Sequence, residues 1–239
     1  MRLMIGLMLT AVLLAGCGGK APQPTQPATQ PVIQTQPQTQ PQTQPQTIPT
    51  ETVAIRDEEF VRVTKYVPGI RQDLRYAGER NFTGQRIYDF PDAYLRWGTV
   101  KKLQAVQAEL ESQGLGLKIW DGFRPVSAQY RLWEVCPDPT YVANPETGYS
   151  AHSRGNTLDV TLVDSQGREL EMPTGFDDFT TLADRDYSDC PETAAANARL
   201  LEKTMERHGF SGYAGEWWHF SDTDSYPVET EFQPPVSMG

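Results

Sequence analysis

Histidine and cysteine are both scarce in this chain, three of each in 239 residues, and each scarcity narrows what it can do. Any imidazole chemistry must use His152, His208 or His219. Once Cys17 is set aside for reasons given below, only Cys136 and Cys190 remain, enough for a single disulfide or for two free thiols, and the sequence does not choose between them. Basic residues are outnumbered as well: 21 Lys and Arg face 31 Asp and Glu, a formal charge of −10, with no basic cluster. That distribution argues against a nucleic-acid partner. An acidic surface otherwise implies solubility and little more.

The first 50 residues are not fold. Residues 1–17 read MRLMIGLMLTAVLLAGC, a basic start, a short apolar run, and Leu14-Ala15-Gly16 before Cys17. This is the pattern of a secretory signal, and a cysteine directly after the small residues makes it a lipoprotein signal, residues 1–16, with Cys17 as the acylated new N-terminus. The apolar run is shorter than the roughly 20 residues that span a bilayer. Residues 21–50 hold 8 Pro, 10 Gln and 7 Thr and no charge. So little apolar surface cannot offset the entropy of ordering, and the prolines favour extended conformers, so residues 17–50 are expected to tether a domain to a membrane. The remaining span, 51–239, is one domain's worth of chain.

Within it, Val100, Leu103, Val106 and Leu110 have helical spacing over 99–113, and Gly114 follows as a stop. Leu115–Asp121 alternates like a strand and runs into the turn Gly122-Phe123-Arg124-Pro125. Residues 127–135 predict a short helix. Over 156–163, Leu158, Val160 and Leu162 share one face of a strand while Thr157, Asp159 and Thr161 share the other, and Ser165-Gln166-Gly167 follows as a turn. Pro191 opens a helix that Gly209 closes, and a last strand contains Glu216–Phe220. Helices and hairpin-like strands do not alternate as βαβ units, so the expected class is α+β, with a mainly antiparallel sheet flanked by helices.

His208 ends a predicted helix, where a cation complements the helix dipole, and reads as structural. His152 lies in a loop seven residues before Asp159, and an extended strand brings Asp159 back toward that loop. Alone, this spacing does not separate a metal pair from two unrelated surface residues. His219 lies in Glu216-Trp217-Trp218-His219, a carboxylate and an imidazole between two tryptophans. Positions three apart on a straight strand face opposite ways, so Glu216 and His219 converge only if the strand twists or bulges. Two histidines and one aspartate make a three-ligand set with room for water, the arrangement of a catalytic zinc, which lowers the pKa of bound water to about 7 so that a nearby carboxylate such as Glu216 can take its proton. Amide hydrolysis also needs a cation for the developing oxyanion, and Arg124, fixed in a turn, is the candidate.

Six segments occur in order: D-L-R-Y-A (73–77), N-F-T-G (81–84), W-D-G-F-R-P (120–125), S-A-H-S-R-G-x-x-x-D (150–159), F-D (176–177) and E-W-W-H (216–219). Together they resemble the VanX-type D-alanyl-D-alanine dipeptidases, zinc peptidases of the D-Ala-D-Ala peptidase superfamily, over roughly residues 60–227. The resemblance implies one Zn2+ in a central cleft on His152, Asp159 and His219, Glu216 as base and Arg124 as transition-state stabiliser. It also implies that Tyr76 and Asp177 meet the substrate's amino group and that Ser150 lines the pocket. Thr157 stands where Ala is expected in many relatives, a difference that touches packing more than ligation. The expected substrate is a small D-amino-acid dipeptide, and the expected place is the cell envelope, on a membrane through Cys17. Two alternatives stay open at this point: trimming of peptidoglycan stem peptides by a carboxypeptidase or endopeptidase, and a catalytically inactive wall-binding lipoprotein. Asp177 separates the dipeptidase from the carboxypeptidase or endopeptidase, because a carboxylate that meets an ammonium selects a free N-terminus.

Overall fold

The computed structural model describes residues 54–236; the signal sequence, Cys17 and the Gln/Pro/Thr-rich stretch lie outside the described residues. In chain order, strand β1 (Phe60–Arg62) runs into a one-turn helix α1 (Val63–Tyr66) and a two-residue strand β2 (Arg71–Gln72). Next come β3 (Tyr94–Arg96), α2 (Trp97–Glu111), β4 (Leu115–Asp121) and α3 (Val126–Val135). After a long loop follow β5 (Thr157–Asp164), α4 (Glu192–Arg207), β6 (Phe210–Tyr213) and β7 (Glu216–Asp222). β1 and β3 pair on their own, while the main sheet has the order β2-β4-β5-β7-β6. Its pairs are antiparallel except for β2 on β4, which is parallel. The α+β expectation holds, with that one parallel edge added.

The long elements form for the reasons the sequence suggests. Val100, Leu103, Val106 and Leu110 make one stripe of α2 and are all fully buried, each burial being worth about 1.5–3 kcal/mol. Gln107 is buried on the same helix and ties it to the sheet, its Oε1 accepting from the Leu117 amide at 2.9 Å. Pro191 caps α4, whose Ala194, Ala195, Ala198, Leu201 and Met205 pack inward. His208 lies just past its last turn and shares a hydrogen bond of 2.8 Å with Glu109 on α2, the structural role expected of it. Cys136 and Cys190 are half-buried free thiols.

β5 is the middle strand, and Thr157 through Val163 are all buried. The alternation read from the sequence is present, but its polar face is covered too. Leu158, Val160 and Leu162 belong to the hydrophobic core, while Asp159 opens onto a cleft on the opposite face. Thr157 is satisfied by Ser221 on β7, with Oγ to Oγ 2.9 Å, so its departure from alanine is a matter of packing.

Two irregularities aim side chains at that cleft. Between β4 and β5 the partners step from Ile119↔Val160 to Asp121↔Asp159, so β4 carries one extra residue and sets Asp121 directly beside Asp159. Between β6 and β7 the partners step from Gly212↔Phe220 to Tyr213↔Glu216. β7 therefore pairs irregularly with β6 between Glu216 and Phe220, which resolves the difficulty of bringing Glu216 and His219 to one side.

The turn before β5 depends on a glycine. Residues Ala151–Arg154 form a 3-10 turn capped by Ser150, whose Oγ accepts from the His152 amide at 3.3 Å. The turn ends at Gly155, φ 76, in the left-handed region where L side chains are strained, and a Cβ there would overlap the ring of Phe60. Gly155→Ala is therefore expected to cost about 2–4 kcal/mol, the sum of left-handed strain and overpacking. Urea unfolding measures it, and a loss below about 1 kcal/mol would show that the turn tolerates a side chain.

Candidate active site and metal centre

Asp159 organises the cleft. β5 holds it, nearly inaccessible to solvent, opposite His219 of β7 in the cross-strand register. His219 Nδ1 stands 3.1 Å from Asp159 Oδ1, and His152 Nε2 stands 3.5 Å from Asp159 Oδ2. The two ring nitrogens are 3.3 Å apart. His152 Nδ1 donates to the Gly122 carbonyl at 2.9 Å, which leaves Nε2 as the lone-pair nitrogen facing the carboxylate. Donor atoms of all three residues lie within 4.8 Å of one another. Asp159 Oδ1 is buried and, although His219 Nδ1 stands 3.1 Å away, makes no well-aligned hydrogen bond, which is costly to leave unmade. Two imidazole nitrogens and a carboxylate oxygen converging on one point, one oxygen orphaned, fit a divalent metal, and the chemistry of the set suits zinc.

The titration behaviour agrees. Burial opposes ionisation of Asp159, but His152 and His219 outweigh it and hold its carboxyl below the usual range. Burial would lower the pKa of His152, yet the charges of Asp159 and Asp121 raise it. The raised His152 pKa means that, without a cation, a proton on its imidazole is favoured as the balance for the carboxylate, and a metal would take that proton's place.

Glu216 Oε2 is 3.5 Å from His219 Nδ1, at the edge of the same cluster. Burial, then the nearby Asp159 charge, raises its pKa, which brings a carboxylate toward the range of a useful base. Of the two tryptophans beside it, Trp218 lines the cavity, while Trp217 packs edge-on against Trp120 and donates to Thr174 Oγ1 at 2.9 Å.

Arg124 is no surface arginine. Its Nη2 donates to Asp121 Oδ2 at 2.5 Å, its Nε donates to the same oxygen at 3.2 Å, and its Nη1 donates to Gln129 Oε1 at 3.1 Å. Asp121 is fully buried and also accepts from the Tyr88 hydroxyl at 2.7 Å. The guanidinium is thereby fixed, with its carbon 5.0 Å from the centre of the Tyr76 ring. Sequence reasoning missed Asp121, Tyr88 and Gln129. Asp121 had a signal, a carboxylate three residues before the arginine of a motif.

At the far side, Tyr76 donates its hydroxyl to Asp177 Oδ2 at 2.9 Å. Asp177 adopts φ 55, a left-handed conformation that a non-glycine residue holds only when its surroundings compel it, as they often do at functional sites. Burial first, then the Asp159 charge, pushes its pKa well above the ordinary carboxylate value. Among the described residues no cation pairs with it. Tyr76, Arg124, Ser150, His152, Asp159, Asp177, Glu216 and His219, all eight residues singled out in the domain from the sequence, line one cavity of about 350 Å³. Tyr141, Tyr149, Phe179 and Tyr213, which the sequence did not single out, complete an aromatic rim.

Comparison with known proteins gives the arrangement its context. The family model described as D-ala-D-ala dipeptidase, Peptidase M15, matches residues 56–236. The D-alanyl-D-alanine dipeptidase of Escherichia coli (strain K12) is 37% identical over 172 residues, covering 71% of this chain and 89% of the relative. That of Streptomyces coelicolor is 34% identical over 207 residues, covering 75% and 98%. Among solved structures, VanYB in complex with D-Alanine-D-Alanine is similar over 55% of this chain and 73% of that one, at 16% identity and a TM-score of 0.38, a likeness too distant to add to the assignment. With a family match over nearly every described residue and relatives this similar along almost their full length, the chain belongs to the D-Ala-D-Ala dipeptidase family of M15 peptidases.

Proposed function

We propose that this cleft hydrolyses free D-Ala-D-Ala with one zinc ion held by His152, Asp159 and His219. Glu216 is the general base, Arg124 faces the developing oxyanion, and Tyr76 with Asp177 receives the substrate's ammonium beside Ser150. The observation that carries this reading is the pairing, in one cavity, of a three-donor metal set with a half-buried carboxylate that has no cation among the described residues. Bound there, zinc supplies Lewis acidity, polarising the scissile carbonyl and letting water act as a nucleophile near neutral pH. Glu216 accepts the proton of the attacking water as the C–O bond forms, then delivers it to the leaving amine as the C–N bond breaks. Arg124, already ordered by Asp121 and Gln129, stabilises the oxygen's charge without reorganising. Asp177 requires a cation to ionise in its buried position, and a dipeptide's free ammonium provides it.

Location is inferred from the sequence alone. A lipoprotein signal over residues 1–16, with Cys17 as the acylated residue, and an uncharged Gln/Pro/Thr-rich stretch over 21–50 suit a domain held off a membrane outside the cytoplasm, where wall turnover would supply the dipeptide.

Zinc content tests the ligand set. Wild-type protein is expected to hold about one zinc per chain, and His219→Ala to lose most of it, because two remaining ligands compete poorly with water. Full occupancy in that variant, by elemental analysis, would mean the ligands lie elsewhere. Protons compete for the same nitrogens, so zinc affinity should fall as pH falls. Because the His152 pKa is raised, that fall should begin above the ordinary imidazole value of 6.5.

Glu216→Gln keeps the size of the side chain but cannot accept a proton. Zinc content should be unchanged and turnover lower by at least about a hundredfold. Joint loss of zinc and activity would make Glu216 a ligand instead of a base.

Specificity rests on Asp177. Acetyl-D-Ala-D-Ala has no ammonium and more bulk, so it should be a very poor substrate beside the free dipeptide. Asp177→Ala should weaken hydrolysis of free D-Ala-D-Ala while changing activity on the blocked compound far less, with alanine release measured at equal zinc content. Equal rates on both substrates for the wild-type protein would replace the dipeptidase reading with a carboxypeptidase.

A further inference from the structure

Among the described residues beyond β7 there is no helix or strand, yet their backbone and side chains converge on the turn that carries His152. Three consecutive carbonyls of that turn are held from outside it. Ser153 O accepts from the Glu229 amide at 2.8 Å, Arg154 O accepts from Arg96 Nε at 2.9 Å, and Gly155 O accepts from the Arg96 amide at 2.8 Å. Arg96 is itself buried, and the same C-terminal segment compensates its charge, through Glu229 Oε2 at 3.2 Å and the Pro227 carbonyl at 3.4 Å. Arg154 Nη1 in turn donates to the Tyr226 carbonyl at 2.8 Å.

A second line of contact runs through aromatic rings. Phe232 stacks on Phe60 with centroids 4.3 Å apart and planes within 4°, and it lies 5.6 Å from Phe123. Phe60 is the ring pressed against Gly155, and Phe123 precedes Arg124 in the chain. The Glu229 carboxylate fixes the approach of Phe232, its Oε1 accepting from the amides of Glu231 and Phe232 at 2.7 and 2.9 Å. None of these C-terminal residues lines the cavity.

We infer that Tyr226–Phe232 is a strap whose Glu229 and Phe232 act as positioning residues for the metal ligand His152. The strap sets the pitch of the 151–154 turn, and so the direction of the His152 ring, from the side opposite the cleft. Such a role follows from the demands of a metal site. Three donors must stand in place before the ion arrives, and a ligand on a short turn is only as ordered as the groups that hold the turn. The inference rests on His152 being a ligand, as proposed above.

The test is zinc affinity, measured by competition with a chromogenic chelator on the whole protein, for wild type, Phe232→Ala, Glu229→Gln and a control, Leu103→Ala, in the fully buried stripe of α2. Phe232→Ala and Glu229→Gln should each weaken zinc binding about tenfold, the low end for groups that orient a ligand from behind. KM for D-Ala-D-Ala at saturating zinc should stay within about twofold, since the strap touches no substrate. Leu103→Ala should lower the melting temperature at least as much and leave zinc affinity within about twofold. Should Phe232→Ala fail to fold, Glu229→Gln, which keeps size but loses the charge and one of the two acceptor oxygens, decides alone. Unchanged affinity in both strap variants overturns the inference, as does equal weakening in Leu103→Ala. A wild-type protein that binds no zinc would instead overturn the ligand assignment, so the two failures are distinguishable.

Discussion

The structure depends on a row of three residues lying side by side across the sheet, Asp121 on β4, Asp159 on β5 and His219 on β7. Two carboxylates directly opposite one another and shielded from water repel, and neither can be left uncompensated. The fold answers with a different cation for each. Asp121 takes Arg124, with help from Tyr88 and the Gly122 amide. Asp159 takes two imidazoles, keeps an oxygen without a partner, and is complete only with a further positive charge. The electrostatic problem of burying the row is thus what makes one side a fixed guanidinium and the other a metal site.

The same reasoning extends to substrate selection. Asp177 is a half-buried carboxylate of the same cavity, held by the Tyr76 hydroxyl and eased by the nearby Arg124 charge. Asp159 adds to the strain by raising its pKa. Under the proposed reading, a carboxylate that burial and Asp159 discourage from ionising favours a ligand that brings its own cation, and a neutral ligand gains no charge pairing from it. At about 350 Å³, the cavity has room for a small ligand and not for an extended chain buried whole.

Much of this was legible in the sequence, and what was not has physical reasons. The long elements declared themselves because each carries enough turns or alternations to show a period: the apolar stripe of α2, the alternation of β4 and β5, the proline and glycine that bound α4. β1, β2, β3 and β6 have two to four residues each, too few to show one. The seven-residue spacing of His152 and Asp159 could not by itself tell a metal pair from two surface residues, and Glu216 and His219 converge only through a slip in pairing between β6 and β7 that no property of either residue announces. Tyr76 and Asp177 are 101 positions apart, so only the resemblance to a family could join them. The strap escaped notice for a related reason: its contacts are mainly backbone amides and carbonyls, to which the sequence is nearly blind.

Holding the proposed metal ligands from both sides, by the strand pairs of the sheet and by the C-terminal strap on the His152 turn, would give a preorganised site on rigid supports. The measurement that tests this account most directly is anomalous diffraction at the zinc absorption edge from crystals of the zinc-loaded protein. The account predicts one peak per chain in the cleft, roughly 2.0–2.2 Å from His152 Nε2, one Asp159 oxygen and His219 Nδ1. A principal peak elsewhere, at His208 and Glu109 for instance, or a cleft peak with Asp159 outside its coordination shell, would contradict it.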